Sequence, residues 1–260
     1  MNLKKNDKLF FILKNIQILI KKLINKFISY SDAESRIGRI ESVLAEIALN
    51  NKLDWEKFYL NGQHFRRKII SEILASINFD YIVETGTEYG FSTAYFSTFN
   101  KKVFSIEKSK PLFYLAKKRL ENFKNINLIL NDSKNIKDIL NKYKIDRENK
   151  VFFYLDAHSE NNYPLLDELK FITSFYGNNL ILIDDFQVPG DDGYGFDSFN
   201  GKKLNLNLIS NSLIGENYIY FPKVSSKIET GRLRGYVLIT NNNDIRKKLD
   251  SINELYFFNN

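Results

Sequence analysis

The segment Tyr81-Ile-Val-Glu-Thr-Gly86-Thr-Glu-Tyr-Gly90-Phe-Ser-Thr93 passes from a short β-type run, through a turn punctuated by two glycines, into helical spacing. The next apolar run, Val103-Phe-Ser-Ile-Glu107, closes on an acid. A strand, a glycine turn that lets backbone approach a ligand, a helix start and a carboxylate one βα unit later make a nucleoside-binding arrangement. Outward from it, strand-like runs recur at Lys102–Glu107, Ile126–Leu130, Val151–Asp156 and Asn179–Asp184, with helical patterns near 91–99, 111–123, 135–144 and 165–175 between them. Such alternation predicts an α/β fold with a mostly parallel sheet and helices on both faces. Two more strands are expected at Tyr218–Phe221 and Gly235–Thr240, before a last helix near 243–252, and one helix near 64–77 precedes the first strand.

The glycines stand as Gly86-x-x-x-Gly90, not as G-x-G-x-x-G. That spacing points away from a dinucleotide pyrophosphate and towards S-adenosylmethionine (SAM). Gly86 and Gly90 remove side chains beside the turn, and the first N–H groups of the following helix would face the cofactor's carboxylate. Ser92 could add a hydroxyl donor, and Glu107, an acceptor-only carboxylate, suits ribose hydroxyls. The plainer alternatives are an ordinary turn glycine at Gly86, relief of helix–strand crowding at Gly90 and a helix cap at Glu107. After the third strand, Asp132-Ser133 is placed to touch adenine, although Ser133 is equally suited to start a helix.

At 260 residues the chain is long enough for one large α/β domain with an extension. Hydrophobic residues at 43% and aromatics at 15% exclude a mostly disordered protein. The absence of cysteine excludes disulfides and thiolate zinc sites. The formal charge of +7 is scattered, and no nucleic-acid motif accompanies it. Residues 1–53 read as an N-terminal helical extension, and 54–260 as the main domain. Within residues 9–29, Leu9, Ile12, Leu13, Ile16, Leu19, Ile20, Leu23 and Phe27 fall at helical spacing, interrupted by Lys14, Lys21, Lys22 and Lys26. The run is too broken to span a bilayer, and no cleavage site follows. It reads as a packing or dimer helix, with an interfacial membrane helix as the sharper alternative. A capping box, Ser31-x-x-Glu34, opens a second helix striped by Ile37, Ile40, Val43, Leu44 and Ile47. The expected location is cytoplasmic, with peripheral contact at the inner membrane surface through residues 9–29 on the second alternative.

Acids stand where strands end. Val151-Phe-Phe-Tyr-Leu-Asp156-Ala-His158 closes the fourth strand and Leu180-Ile-Leu-Ile-Asp184-Asp185 the fifth. Ligands of open α/β sheets lie beyond these carboxyl ends, and neighbouring strands are close enough for Asp156 and Asp184 to share a site. Asp156, Asp184 and Asp185 are therefore candidate ligands for a hard cation such as Mg²⁺. His158 is a candidate general base, a satisfied loop histidine being the alternative. The turn-rich stretch Pro189–Gly195 reads as a lid or a plain surface loop. Arg232 and Arg234 could meet a phosphate or acidic sugar, or could form a solvated basic turn.

Together, Glu84-Thr-Gly-Thr-x-x-Gly-x-Ser-Thr93, Ser105-Ile-Glu107, Leu155-Asp-Ala-His158 and Leu182-Ile-Asp-Asp185 resemble class I SAM-dependent methyltransferases. More narrowly they resemble the metal-assisted O-methyltransferases of the catechol and macrocin-type sugar groups. The resemblance, over roughly residues 63–240, implies a Rossmann-like methyltransferase fold: a seven-stranded sheet whose last-built strand is inserted antiparallel. It implies SAM over Glu84, Gly86, Thr87, Gly90 and Ser92, with Glu107 on the ribose and Asp132-Ser133 near adenine. It also implies metal positions at Asp156, Asp184 and Asp185. Two departures stand out: the catechol group's lysine base is replaced by the segment Ala157-His158-Ser159-Glu160, and the second strand-end pair is Asp-Asp rather than Asp-Asn. The expected function is methyl transfer from SAM to a hydroxyl of a sugar or glycan precursor or another small molecule, with catalytic roles for His158 and Asp156. The alternative from another class is a non-catalytic protein of the same fold that binds a partner, or a second copy, through its N-terminal helices.

Overall fold

Strands buried on both faces read as continuous apolar runs, and those runs form the sheet expected of them. The computed structural model describes residues 57–158 and 163–259. The N-terminal extension, with the membrane and dimer contacts expected of it, lies outside the described residues, as do Ser159 and Glu160. The strands are β1 (Tyr81–Thr85), β2 (Lys102–Glu107), β3 (Ile126–Leu130), β4 (Val151–Leu155), β5 (Asn179–Asp184), β6 (Ser198–Phe199), β7 (Lys202–Lys203), β8 (Tyr218–Pro222), β9 (Tyr236–Thr240) and β10 (Leu255–Phe257). The helices are α1 (His64–Ser76), α2 (Phe91–Ser97), α3 (Lys110–Arg119), α4 (Ile136–Lys142), α5 (Leu165–Phe175), α6 (Leu206–Ile209) and α7 (Asn243–Asp250).

The main sheet runs β10-β8-β9-β5-β4-β1-β2-β3. From β5 across to β3 every neighbour is parallel, while β9 is inserted antiparallel between β5 and β8. This is the Rossmann-like order of the class I methyltransferase fold. The expected count of seven strands is corrected to eight, because β10 pairs antiparallel with β8 at the sheet edge. Its three residues are too short a run to show a period in sequence. The β6–β7 ribbon, also unexpected, lies in the long connection after β5.

Side-chain alternation divides the core in two. Val151, Phe153 and Leu155 of β4 join the cluster under α4 and α5. Phe152 and Tyr154 face the opposite way, into the cluster under α1, α2 and α7. Parity continues along β5, where Leu180 and Leu182 share the second face. Asp184 therefore ends β5 pointing towards α1, and there it meets Arg66. Both side chains are fully buried, with Arg66 Nη2 at 2.8 Å from Asp184 Oδ1. The Tyr154 hydroxyl donates to Asp184 Oδ2 at 2.5 Å, Asn61 Nδ2 donates to the same oxygen at 3.2 Å, and the Asp185 N–H donates to Oδ1 at 2.7 Å. Burial alone would raise the Asp184 pKa, but the guanidinium and these donors hold it below the usual carboxylate range.

α1 carries no side-chain cap of its own. Its first amides are satisfied from the β8–β9 connection instead. Thr230 Oγ1 accepts from His64 N, and the two Glu229 oxygens accept from Phe65 N and Arg66 N at 3.1 and 3.0 Å. Among the described residues, no helix is long and apolar enough to cross a membrane.

Breaking a buried pair from one side costs about 3–5 kcal/mol, because the remaining charge stays buried without a counter-ion. Arg66→Leu is expected to lose that much in urea unfolding, with the double variant Arg66→Leu/Asp184→Leu recovering a substantial part. An unchanged urea midpoint in the single variant would remove the pair from its structural role.

Candidate active site

A cavity of about 730 Å³ opens beyond the carboxyl ends of the strands, where the sheet order reverses between β1 and β4. Gly86, Glu107, Asp132, Ser133, Asp156 and His158 are among its walls. A smaller lobe of about 220 Å³ adjoins it, sharing Gly86, Glu88, Asp156 and Arg232 and adding Thr87 and Ser92. Six of the eight expected cofactor residues thus border one lobe or both.

The glycines divide in purpose. Gly86 holds φ +85°, and a Cβ there would stand 2.4 Å from the Asp156 carbonyl oxygen, so the turn after β1 can pass the end of β4 only with glycine. Gly90 borders neither lobe. It starts α2 with φ +77°, and a Cβ would lie 3.0 Å from Leu120 Cδ1 on the flank of α3. Its expected place beside the cofactor is corrected to helix packing. Glu84 is likewise corrected: it is fully buried beneath the turn, where its Oε2 accepts from the Thr93 and Ser105 hydroxyls. Burial pushes its pKa up to about 7 against those hydroxyls. Thr87, also buried, bonds Ser105 Oγ at 2.6 Å.

Glu107 stands on the cavity wall at the end of β2. Its Oε2 accepts from Glu88 N at 2.9 Å and its Oε1 from Ser109 N at 2.6 Å. Each oxygen keeps a further lone pair for a ligand. Burial raises its pKa, and the backbone donors oppose that. Asp132, rather than Ser133, caps the short turn that follows β3, accepting from Lys134 N at 3.1 Å and pairing with Lys108 at 2.6 Å.

The acids of β4 and β5 do not converge as expected. Asp184 has both oxygens engaged by Arg66, Tyr154, Asn61 and the Asp185 amide, and it borders neither lobe. Its assignment as a metal ligand is corrected. Asp156, His158 and Asp185 come together instead, each offering an atom within 4.8 Å of the others. Asp185 adopts a left-handed φ of +53°, uncommon for a non-glycine residue, which turns it away from Asp184 towards the larger lobe. Its Oδ1 pairs with Arg234, which also pairs with Asp197. Burial, then Asp184, push the Asp185 pKa up to about 7, with Arg234 opposing. Burial, then the neighbouring aspartates, raise Asp156 well above the ordinary range. His158 is 7% exposed, and burial lowers its pKa, with Asp197, Asp184 and a contact to the Asp184 backbone opposing; among the described residues neither ring nitrogen makes a well-aligned hydrogen bond.

Arg232 borders both lobes, its amide bonded to the Asn61 carbonyl at 3.0 Å. Arg234, expected in the same basic turn, is spent on Asp185 and Asp197. The Pro189–Gly195 stretch is fastened down. Asp191 accepts from Ser226 N at 2.8 Å and Oγ at 2.6 Å, and the Tyr194 hydroxyl donates to the Val224 carbonyl at 3.0 Å. Arg66 was missed in the sequence as a residue of the site. The signal was present: Arg66, Ile69, Ile70 and Ile73 share one helical stripe, which put the arginine on the buried face of α1.

The sequence matches no family model and no curated protein. Among solved structures the chain resembles a presumptive O-methyltransferase from Klebsiella pneumoniae at 15% identity, over 80% of this chain and 99% of that one, with a TM-score of 0.49. It resembles a SAM-dependent methyltransferase from Aquifex aeolicus at 15% identity, over 75% and 96% of the two chains, with a TM-score of 0.45. It also resembles an rRNA methylase from Streptococcus thermophilus at 19% identity, over 67% and 96%, with a TM-score of 0.44. Likeness at this level concerns the fold; the chemistry rests with the residues of this chain.

Behind the cavity, Glu168 on α5 is 1% exposed, and burial pushes its pKa up to about 8, with the Ser133 and Thr85 hydroxyls opposing. The folded state therefore holds a proton that the unfolded chain releases near the ordinary glutamate value. Its contribution to stability is complete below that value and is lost as pH rises towards 8. Glu168→Gln is expected to flatten the fall in Tm between pH 5 and 8 relative to the parent protein, as followed by thermal melts. Parallel curves for the two proteins would refute a protonated Glu168.

Proposed function

We propose that this protein is a SAM-dependent O-methyltransferase acting on a hydroxyl of a sugar or glycan precursor or a similar polar small molecule. The observation that carries this reading is Glu107. Its carboxylate is fixed by two backbone N–H groups on the wall of a cavity that reaches the Asp156–His158–Asp185 corner. Glu107 would hold the ribose, Asp132 and Ser133 the adenine, and Gly86 with the residues of the smaller lobe the amino-acid end of SAM. The volume suits a cofactor of this size. The arrangement supports a nucleoside with a positively charged tail, because the junction of the lobes carries the Glu88 side chain.

When bound, SAM supplies the electrophilic methyl group: an acceptor oxygen forms the C–O bond as the C–S bond breaks, and S-adenosylhomocysteine leaves. The chain's own residues hold the two reactants in line, which is the larger part of such catalysis. The acceptor's proton passes to a carboxylate of the Asp156–His158–Asp185 corner. A polar, hydroxyl-rich acceptor is favoured by a lining of acids, amides and Arg232. The metal assistance expected from sequence would fall to Asp156, His158 and Asp185, since Asp184 is committed to Arg66.

Calorimetry with SAM is the direct test. Glu107→Ala is expected to weaken SAM binding by about tenfold or more, as befits the loss of charge-assisted hydrogen bonds. Asp156→Asn is expected to keep SAM affinity within a few-fold while abolishing methyl transfer to a panel of nucleotide sugars, followed with labelled SAM. Absence of SAM binding by the parent protein would end this reading in favour of a binding protein of the same fold.

A further inference from the structure

The geometry points to a divalent metal centre built from Asp156, His158 and Asp185, with an imidazole nitrogen in the donor set and a preference for Mn²⁺-like ions over Mg²⁺. The carboxylate trio expected from sequence does not fit the structure, because Asp184 is saturated by protein donors. The residues left facing the larger lobe fit a different ion.

Three observations converge. The donor atoms lie within 4.8 Å of one another, near enough for a small ion to bridge them. Among the described residues no hydrogen bond or ion pair engages the Asp156 carboxylate, and Asp185 spends only Oδ1 on Arg234, which leaves Oδ2 for a ligand. His158 is buried and borders the cavity; a contact with the Asp184 backbone can satisfy at most one ring nitrogen, which leaves the other without a partner among the described residues. Buried imidazole nitrogens are ordinarily bonded, so an unpartnered one beside two carboxylates calls for a ligand.

The donor chemistry then selects the ion. Mg²⁺ favours an all-oxygen shell and dehydrates reluctantly. A set of one imidazole and two carboxylates suits first-row ions such as Mn²⁺, Fe²⁺, Co²⁺ or Zn²⁺ better. Neutral imidazole is the form that ligates, and an apolar wall on one side favours it: His158 packs edge-on against Tyr163 at 5.8 Å between ring centres. The charges also balance. Arg66 answers Asp184 and Arg234 partly answers Asp185, so a dication at this corner meets the carboxylate charge that the arginines leave over. His158 is thereby assigned to holding the ion rather than to taking the acceptor's proton.

The inference is tested without SAM, so its failure is separate from failure of the methyltransferase reading, which is tested by SAM titration of metal-free protein. The full chain is stripped with chelator and titrated with Mn²⁺, following the free-ion EPR signal. One ion per chain is expected, with Mg²⁺ displacing it only at about tenfold higher concentration or more. Pulsed EPR of the bound ion is expected to show coupling to a nitrogen nucleus. His158→Ala is expected to remove that coupling and weaken Mn²⁺ binding about tenfold or more, leaving SAM affinity of the metal-free protein within a few-fold. Failure to bind Mn²⁺, Mg²⁺ binding as tight as Mn²⁺, or bound Mn²⁺ without nitrogen coupling would each overturn the proposal, and the last needs no variant to fold.

Discussion

The Arg66–Asp184 ion pair is the constraint from which the site's geometry follows. Arg66 comes from α1, Asp184 from the end of β5, and the Tyr154 hydroxyl bonds the acid from β4. The guanidinium also lies over the Tyr236 ring of β9 at 4.9 Å. A buried charge cannot be left unpaired without a cost of several kcal/mol, so these four elements are locked to one another. By holding Asp184 down, the pair fixes which acid of the Asp184-Asp185 doublet faces the cavity. The same helix start recruits Glu229 and Thr230 as its cap and so draws the 229–235 loop to the mouth of the site. Arg232 and Arg234 reach their places through that exchange.

The acids around the cavity are thereby graded by their partners. Asp184, with a guanidinium, is held ionised. Among the described residues no ion pair engages Glu84 or Glu168, and burial pushes both towards their neutral forms, so their place behind the wall need not carry charge. Glu107 lies between these limits, with its burial opposed by backbone donors. Asp156 and Asp185 face the open space, where a bound cation can change their state. The arrangement thus separates acids that build the wall from acids that meet a ligand.

Much of this was legible in the sequence because a parallel sheet covered on both faces announces its strands as apolar runs, and acids at their ends mark the ligand side. β2, β3, β5 and α5 have the bounds expected of them, and the remaining elements shared with the expectation differ only at their ends. What was misread turned on direction. Asp184 follows Leu180 and Leu182 in strand parity, which sends it to the α1 face; treating the two acids as one pair ignored that alternation. Gly90 carries the spacing of a ligand turn, but the demand on it is contact with Leu120, from an element whose packing no local pattern reveals. β10 and the β6–β7 ribbon owe their pairing to neighbours rather than to propensity, and so left no signal.

Two lobes that share Gly86 and Asp156 constrain how a two-substrate reaction could run. The donor's nucleoside would be anchored at Glu107, whose carboxylate accepts from the Glu88 amide at the junction of the lobes. Asp156 borders both spaces, and the two reactants would meet beside it. An acceptor has to bring its oxygen to that same point, and the corner formed with His158 and Asp185 stands on the larger-lobe side of it. Arg232 borders both lobes and is tied through its amide to Asn61, whose side chain is in turn bonded to Asp184. The residue at the entrance and the acid beneath the floor therefore share one chain of contacts. On the proposed reading, a change at Arg66 would reach the acceptor's path through Asn61 without touching either substrate.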